Sequence, residues 1–353
     1  MPDQERLRVV QWSLGHVGRH ALSAVLAHPR LDLVGVHTNT PDKVGQDAGA
    51  LCDAATTTGI VATGDPAEVL ALGPDCVVYA AVGETRPRDA VADLVQLLAA
   101  GINVASVSMM DLIHPSSARP KSVAQLAEAC AAGGSSLFTT GLDPGFTFDA
   151  LPMAAAQLCR RIRSVRVQEL GVYGDHPDSA WGTPYGFGLP EGAPAPILDH
   201  GAPTHFWGGS VRALAELLGI TLDALEETVE RWYADEAFDV PMGHMAKGTC
   251  VAVRFQIAGL VAGEPVVVAD HVTRTHPDVA PHWPRPPVGS RGAHRVVIEG
   301  EPSLTLDLHF GGGTSGTGYN DEAVIATAAR AVNAVPAVVA AAPGIVTFAD
   351  LAL

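Results

Sequence analysis

Mostly apolar runs alternate with amphipathic stretches through residues 1–140. Residues 7–12 (LRVVQW), 31–37 (LDLVGVH), 75–82 (DCVVYAAV), 103–107 and 136–140 have the composition of strands buried on both faces. Between them, residues 17–27, 66–72, 88–100 and 121–132 repeat their apolar positions at helical spacing. Gly101 and the pair Gly133-Gly134 stand where a helix end wants a left-handed residue. This alternation predicts a parallel sheet with helices on both faces, because parallel neighbours need crossover connections.

The rhythm changes after Gly145. Residues 148–161 are expected to be helical and 164–173 to form a strand. Residues 174–209, rich in Gly, Pro and aromatics, read as a long ordered loop of functional importance. A helix is expected at 210–218, and Thr221 is placed to cap a second short one. Residues 249–257, 266–275, 293–299 and 303–310 predict antiparallel strands, giving a sheet of about four or five. The string GGGTSGTG at 311–318 reads as a flexible joint, followed by a helix at 321–334 and an apolar tail that packs back on the first domain. The expected architecture is therefore α/β: a Rossmann-type doubly wound parallel sheet plus a second α+β domain with a largely antiparallel sheet. The domains are placed at 1–147 (nucleotide), 148–315 (substrate and dimerisation) and 316–353 (returning segment).

Charge narrows the partners. With 22 Lys and Arg against 38 Asp and Glu the net charge is −16, so nucleic acid and anionic membranes are not expected to bind. A dinucleotide is also an anion, so its site must rely on local backbone N–H groups. The five cysteines, Cys52, Cys76, Cys130, Cys159 and Cys250, form no CxxC pair and read as buried thiols of a reducing compartment. No signal peptide and no membrane span is expected, and the location is read as cytoplasmic. Fourteen histidines include no HExxH and no zinc spacing, and no GxSxG is present, so neither a metal nor a serine nucleophile is expected.

The turn Gly15-His16-Val17-Gly18, with Ala21 beyond it, follows the first strand and opens a helix. Gly15 is expected to make the tight turn, Gly18 to let the backbone approach a pyrophosphate, and Ala21 to let helix and strand pack. The helix start then offers unpaired N–H groups to phosphates. At the tip of the second strand no acid is placed to grip a ribose 2′-hydroxyl. Thr38, Asn39 and Thr40 are donors and Lys43 can reach a 2′-phosphate, which favours NADP over NAD. The ends of the later strands, Ala80-Ala81-Val82 and Ser106, are expected beside the nicotinamide ribose.

Hydride transfer needs an acceptor carbon held in place and its heteroatom polarised. A carboxylate can hold an ammonium or iminium group and move its protons. Asp111 and Asp143 are the carboxylates nearest the expected site, and Tyr173, at a strand end, is a candidate proton donor; loop or cap acids and pocket packing are the plainer readings of all three. Met109, Met110, Phe146, Phe148, Tyr185, Phe187 and Trp207 are candidates for an apolar pocket, though core packing accounts for most such residues.

VVQW before the glycine turn, TPDKVG at 40–45, TGLDPGF at 140–146, VQEL at 167–170 and VNAVPA at 332–337 resemble the 2,4-diaminopentanoate dehydrogenase and native amine dehydrogenase family, almost end to end. The resemblance implies a dihydrodipicolinate-reductase-like N-terminal domain, a homodimer, and NAD(P)-dependent interconversion of an amine with a ketone or aldehyde plus ammonia. It also implies that Asn333, in the returning segment, touches the cofactor. Relatives place a glutamate just after the fifth strand to handle ammonia. Here that stretch is SMMDLIHP at 108–115, and either Asp111 substitutes, one carbon shorter, or a methionine holds the position. Three functions stay open: reductive amination, ammonia-independent reduction of C=O or C=N, and noncatalytic NADP sensing.

Overall fold

The computed structural model describes residues 6–52, 54–83, 85–176, 179–311 and 318–351. The chain folds into two compact units, residues 1–146 with 324–353, and residues 147–323.

The first unit opens with β1 (Leu7–Trp12), α1 (His16–Ala27) and β2 (Leu31–His37). It continues through α2 (Ala48–Leu51), β3 (Ala62–Thr63), α3 (Pro66–Ala71), β4 (Cys76–Tyr79), α4 (Pro87–Ala99), β5 (Asn103–Ser106), α5 (Pro120–Gly133) and β6 (Ser136–Thr139). All seven strands of its sheet run parallel, in the order β15-β6-β5-β4-β1-β2-β3, where β15 is Gly344–Val346 from the end of the chain. The strand order reverses between β1 and β4, and the crevice outside the carboxyl ends at such a point is where open α/β sheets take ligands. Leu22, Val25, Leu94, Leu98 and Leu126 are fully buried on the helices that cover the sheet, which is why helix spacing is so legible there. Positive φ at Gly101 (82°) and Gly134 (68°) ends α4 and α5 in the left-handed turn that their sequence requires.

The second unit begins with α6 (Ala150–Ala156) and β7 (Arg161–Val172), then α7 (Ala202–Leu217), β8 (Ala224–Tyr233), β9 (Phe238–Val240) and β10 (Gly243–Met245). The strands β11 (Cys250–Val261), β12 (Glu264–Arg274), β13 (Gly292–Glu301) and β14 (Leu304–Leu308) follow. Its main sheet has six strands in the order β14-β13-β7-β12-β11-β8, antiparallel except for the parallel pair β7–β12, with β9 and β10 as a separate hairpin. One face packs against α7 through Trp207, Val211 and Leu214; the other carries a smaller cluster of Leu170, Val272 and Trp283.

Three expectations are corrected. The helix expected at 210–218 begins at Ala202 with Pro203 in its first turn, so the long loop is shorter than its composition implied. The short helix expected after Thr221 is the edge strand β8: LEETVERWY has helix-favouring glutamates, but pairing with β11 from Ala224 to Tyr233 overrides them. The second sheet has six strands rather than four or five. The joint at 311–318 lies almost entirely outside the described residues. The final helix, α8 (Tyr319–Ala340), is apolar enough in length and composition to cross a membrane, but Ala328, Ala331, Val332, Val335 and Val338 are fully buried in the core of the first unit, which makes it a core helix.

Candidate active site

The turn after β1 lies at the switch point. Gly15 is exposed and sits at the N-cap of α1 with φ −68°, and a Cβ there would meet nothing within 4 Å. Gly18 is buried, and a Cβ on it would overlap the Ser13 carbonyl oxygen and lie 2.9 Å from the Ser13 carbonyl carbon. The roles expected of the two glycines are therefore divided among three residues. Ser13, at φ 73°, makes the tight turn; Gly18 lets that turn fold against the helix; and Gly15 leaves open the space that a phosphate would enter. Ala21 is buried against the sheet as expected. The first turn of α1 carries no acid and Gly15 supplies no side-chain cap, so neither offsets the positive end of the helix dipole there. An anionic pyrophosphate fits this turn.

At the end of β2, His37 is buried and stacks on Trp12 with ring centres 3.8 Å apart. Thr38 is buried and its hydroxyl accepts the Thr40 amide at 3.2 Å, while Asn39 and Thr40 are exposed. Lys43, half-buried, donates from Nζ to the Leu14 carbonyl at 2.6 Å, which pins its ammonium beside the glycine turn. At the β4 end Ala80 is half-buried, Ala81 buried and Val82 58% exposed. Gly83 beyond them admits the β5 turn, since a Cβ there would overlap Ser108 Oγ and lie 2.8 Å from Met109 Cγ.

Several other expected residues have different surroundings. Ser106 is fully buried; its hydroxyl donates to the Ser108 carbonyl and accepts the Ser108 amide, both at 3.0 Å, so it shapes the turn rather than presenting a donor to a ligand. Asn333 lines a cavity of about 630 Å³ with His28, Arg30, Arg330 and Asp350. His28 lies at the far end of α1 from Gly15, about 18 Å away for 12 residues. Met109, held at φ 57°, is buried, and Met110 and Asp111 lie half-buried in the single 3-10 turn Met110–Ile113. Asp143 is half-buried in the bend after β6, and Phe146 carries the Arg330 guanidinium 5.5 Å above its ring. Phe148 and Trp207 belong to the core of the second unit.

In that unit the structure gathers a group from distant stretches of the chain, of which only Glu169 falls in a motif named above, VQEL at 167–170. Across three adjacent strands, His271 of β12, Glu169 of β7 and His294 of β13 stand in one register row. Glu169 accepts the Tyr173 hydroxyl at 2.6 Å and pairs with His271 Nε2 at 2.9 Å, and Nδ1 of His271 meets the Thr273 hydroxyl at 3.0 Å. His271 stacks on Phe255 at 4.6 Å between ring centres, with Trp207 edge-on at 5.4 Å and Tyr185 at 6.1 Å. A glycine pair across β7 and β13 makes room for the tyrosines. A Cβ on Gly171 would lie 2.7 Å from the Tyr173 ring, and one on Gly292 would overlap the Tyr319 ring. Burial pushes the Glu169 carboxyl up, but the charge and hydrogen bond of His271, the charge of His294 and the Tyr173 hydrogen bond outweigh it and hold the group down at about 2. A faint signal is present in the sequence: Glu169 is in phase with Val165 and Val167, and His271 with Val267 and Ala269, so each is a polar residue on an apolar face.

Residues 146–353 match the 2,4-diaminopentanoate dehydrogenase C-terminal domain. An amine dehydrogenase of Streptomyces virginiae is 40% identical over 352 residues, covering 98% of this chain and 96% of that protein. A 2,4-diaminopentanoate dehydrogenase of Acetoanaerobium sticklandii is 23% identical, covering 98% and 94%. Among solved structures, an amine dehydrogenase from Mycobacterium smegmatis shares the fold, with a TM-score of 0.74 and 24% identity over 98% of this chain and 96% of that one. The glycine turn, the doubly wound sheet and this end-to-end similarity agree: the chain is an oxidoreductase that belongs to the 2,4-diaminopentanoate dehydrogenase family.

Proposed function

We propose that this protein is a nicotinamide-dependent amine dehydrogenase that reductively aminates a small, largely apolar ketone or aldehyde with ammonia and runs the reverse oxidative deamination. The observation that carries the reading is the ring-lined cluster of the second unit, where Tyr185, Trp207 and Phe255 pack on His271, which in turn pairs with the Glu169 carboxylate. Such a surface suits an alkyl or aryl group next to a nitrogen cation. The name of the Streptomyces virginiae relative points the same way.

Residues 15–18 would hold the pyrophosphate through their amides, and Thr40, Asn39 and Lys43 would meet a ribose 2′-phosphate, which makes NADP the favoured cofactor and NAD the secondary one. A solved relative of this fold, from gentamicin A biosynthesis, is described in complex with NAD (TM-score 0.54, 18% identity). When bound, a nicotinamide supplies or accepts the hydride. The chain's part is to orient the carbonyl, exclude water and move protons. A cytoplasmic homodimer is part of the same reading.

The test is loss of NADPH absorbance with a panel of ketones and aldehydes, with and without ammonium. Turnover that requires ammonium is the expected result. Turnover without it would replace the reading by an ammonia-independent reductase, and tight NADPH binding with no turnover by a sensor.

A further inference from the structure

We propose that the cavity lined by α8 and the end of α1 is a binding site for a small organic carboxylate with an apolar tail. Its volume, about 630 Å³, falls in the range of small-molecule sites. It lies wholly within the first unit, and among the described residues none of its lining belongs to the glycine turn, the β2 tip or the ends of β4 and β5. Two guanidiniums, Arg30 and Arg330, stand against one carboxylate, Asp350, so the lining is net positive in a chain of net charge −16. Asp350 is already engaged, its Oδ2 accepting the Thr347 amide and hydroxyl, both at 2.8 Å. The Arg330 guanidinium lies over the rings of Phe146 and Phe348, 5.5 and 5.8 Å from their centres, which fixes where its charge sits. His28 adds a neutral donor. Burial, then the charges of Arg30 and Arg6, hold its pKa below the ordinary value, and Nδ1 accepts the Arg30 amide at 3.2 Å, so the ring proton sits on Nε2.

The wall of the cavity selects the rest of the ligand. Arg330, Asn333, Ala337 and Ala340 recur at steps of three and four along α8, so one face of the helix runs from a guanidinium to alanines over about 15 Å. Alanine has no side chain beyond Cβ, which leaves room there for an alkyl or aryl tail, with Pro336 and Leu351 as further apolar lining. An arginine fork takes a carboxylate or a phosphate through paired N–H bonds. Two guanidiniums less one carboxylate leave a single positive charge, which favours a monoanion over a phosphate dianion. A bare inorganic ion would use the arginines and leave the apolar wall wet, whereas a carboxylate with a tail uses both.

The probe is octanoate, titrated by calorimetry into the full chain with and without saturating NADPH, with 1-octanol as the uncharged control and inorganic phosphate as the tail-less one. We expect one octanoate per chain, the same affinity in both conditions, and binding of either control at least tenfold weaker. Arg30 is exposed and meets His28 through its backbone amide, so Arg30→Gln should keep the fold; its octanoate affinity should fall about tenfold or more while NADPH affinity is kept. Ala340→Glu, exposed at the end of α8, sets a second carboxylate in the lining and should weaken octanoate by a similar factor. Absence of octanoate binding, or wild-type octanoate affinity in either variant, would overturn the proposal. Phosphate binding more tightly than octanoate would replace the carboxylate by a phosphate ligand. Displacement of octanoate by NADPH, or an equal loss of NADPH affinity in Arg30→Gln, would make the cavity part of the cofactor site and overturn the proposal as well.

Discussion

The glycine turn offers a paired test in which two similar substitutions should behave in opposite ways. In Gly18→Ala the new methyl would overlap the Ser13 carbonyl oxygen and crowd its carbon at 2.9 Å and Gln11 Nε2 at 3.3 Å. Two of these three atoms are backbone, fixed in a turn that already holds Ser13 at φ 73°, so the strain cannot be relieved by a rotamer change. Overpacking of this kind costs about 1–3 kcal/mol. At roughly 2–4 °C per kcal/mol for a unit of this size, the thermal transition of the first unit should drop by about 2–12 °C. In Gly15→Ala the methyl meets nothing within 4 Å, and φ of −68° suits any residue. The smaller unfolded-state entropy gains about 0.4–1 kcal/mol, and the poorer N-cap residue costs about as much, so the free protein should melt within a degree or two of wild type. The same methyl would stand in the space assigned to the pyrophosphate, so NADPH affinity should fall at least tenfold. Calorimetric melting with and without NADPH reads both effects. An unshifted transition in Gly18→Ala would refute the packing argument, and wild-type NADPH affinity in Gly15→Ala would remove the phosphate from this turn.

Asn39→Asp should move cofactor preference towards NADH, and Lys43→Ala should weaken NADPH more than NADH, both read from KM ratios; equal losses for the two cofactors would displace the 2′-phosphate from Lys43. Glu169 is held below its ordinary 4.5, at about 2, so the stability it contributes is complete above about pH 4.5 and is lost as pH falls towards 2. The acid limb of a urea-unfolding series should therefore be shallower in Glu169→Gln than in wild type across that window, and parallel limbs would show that the His271 and Tyr173 contacts of this carboxylate contribute no such stability. Arg274 is 1% exposed, with Nε and Nη2 unpaired and only Nη1 bonded, to the Pro284 carbonyl at 3.0 Å. Burial, with the neighbouring Arg285 charge, lowers its guanidinium to about 10. Arg274→Met should leave stability unchanged or raise it by about 1 kcal/mol, because it removes an uncompensated buried charge, and a loss above about 2 kcal/mol in urea unfolding would count against that view.

Amino-acid order alone specifies the first unit and its class. Its strands are buried on both faces and its helices on one, so apolar runs and helical spacing report local structure directly, and Gly101 and Gly134 mark helix ends through a conformation that only glycine adopts easily. The glycine turn is legible for the same reason, because it is made by consecutive residues, 15–18. The remaining features depend on packing between distant segments. Gly15 and Gly18 differ only in what lies above them, and the Ser13 carbonyl is not visible in a spacing. Residues 224–233 have a helix former's composition and become a strand because β11 offers an edge. The row of His271, Glu169 and His294 joins residues from strands far apart in the chain, so neither local propensity nor motif spacing could assemble it. A polar residue in phase with apolar ones, Glu169 in one strand and His271 in another, is the trace such a row leaves in the sequence, because register is fixed by pairing between strands and not within one.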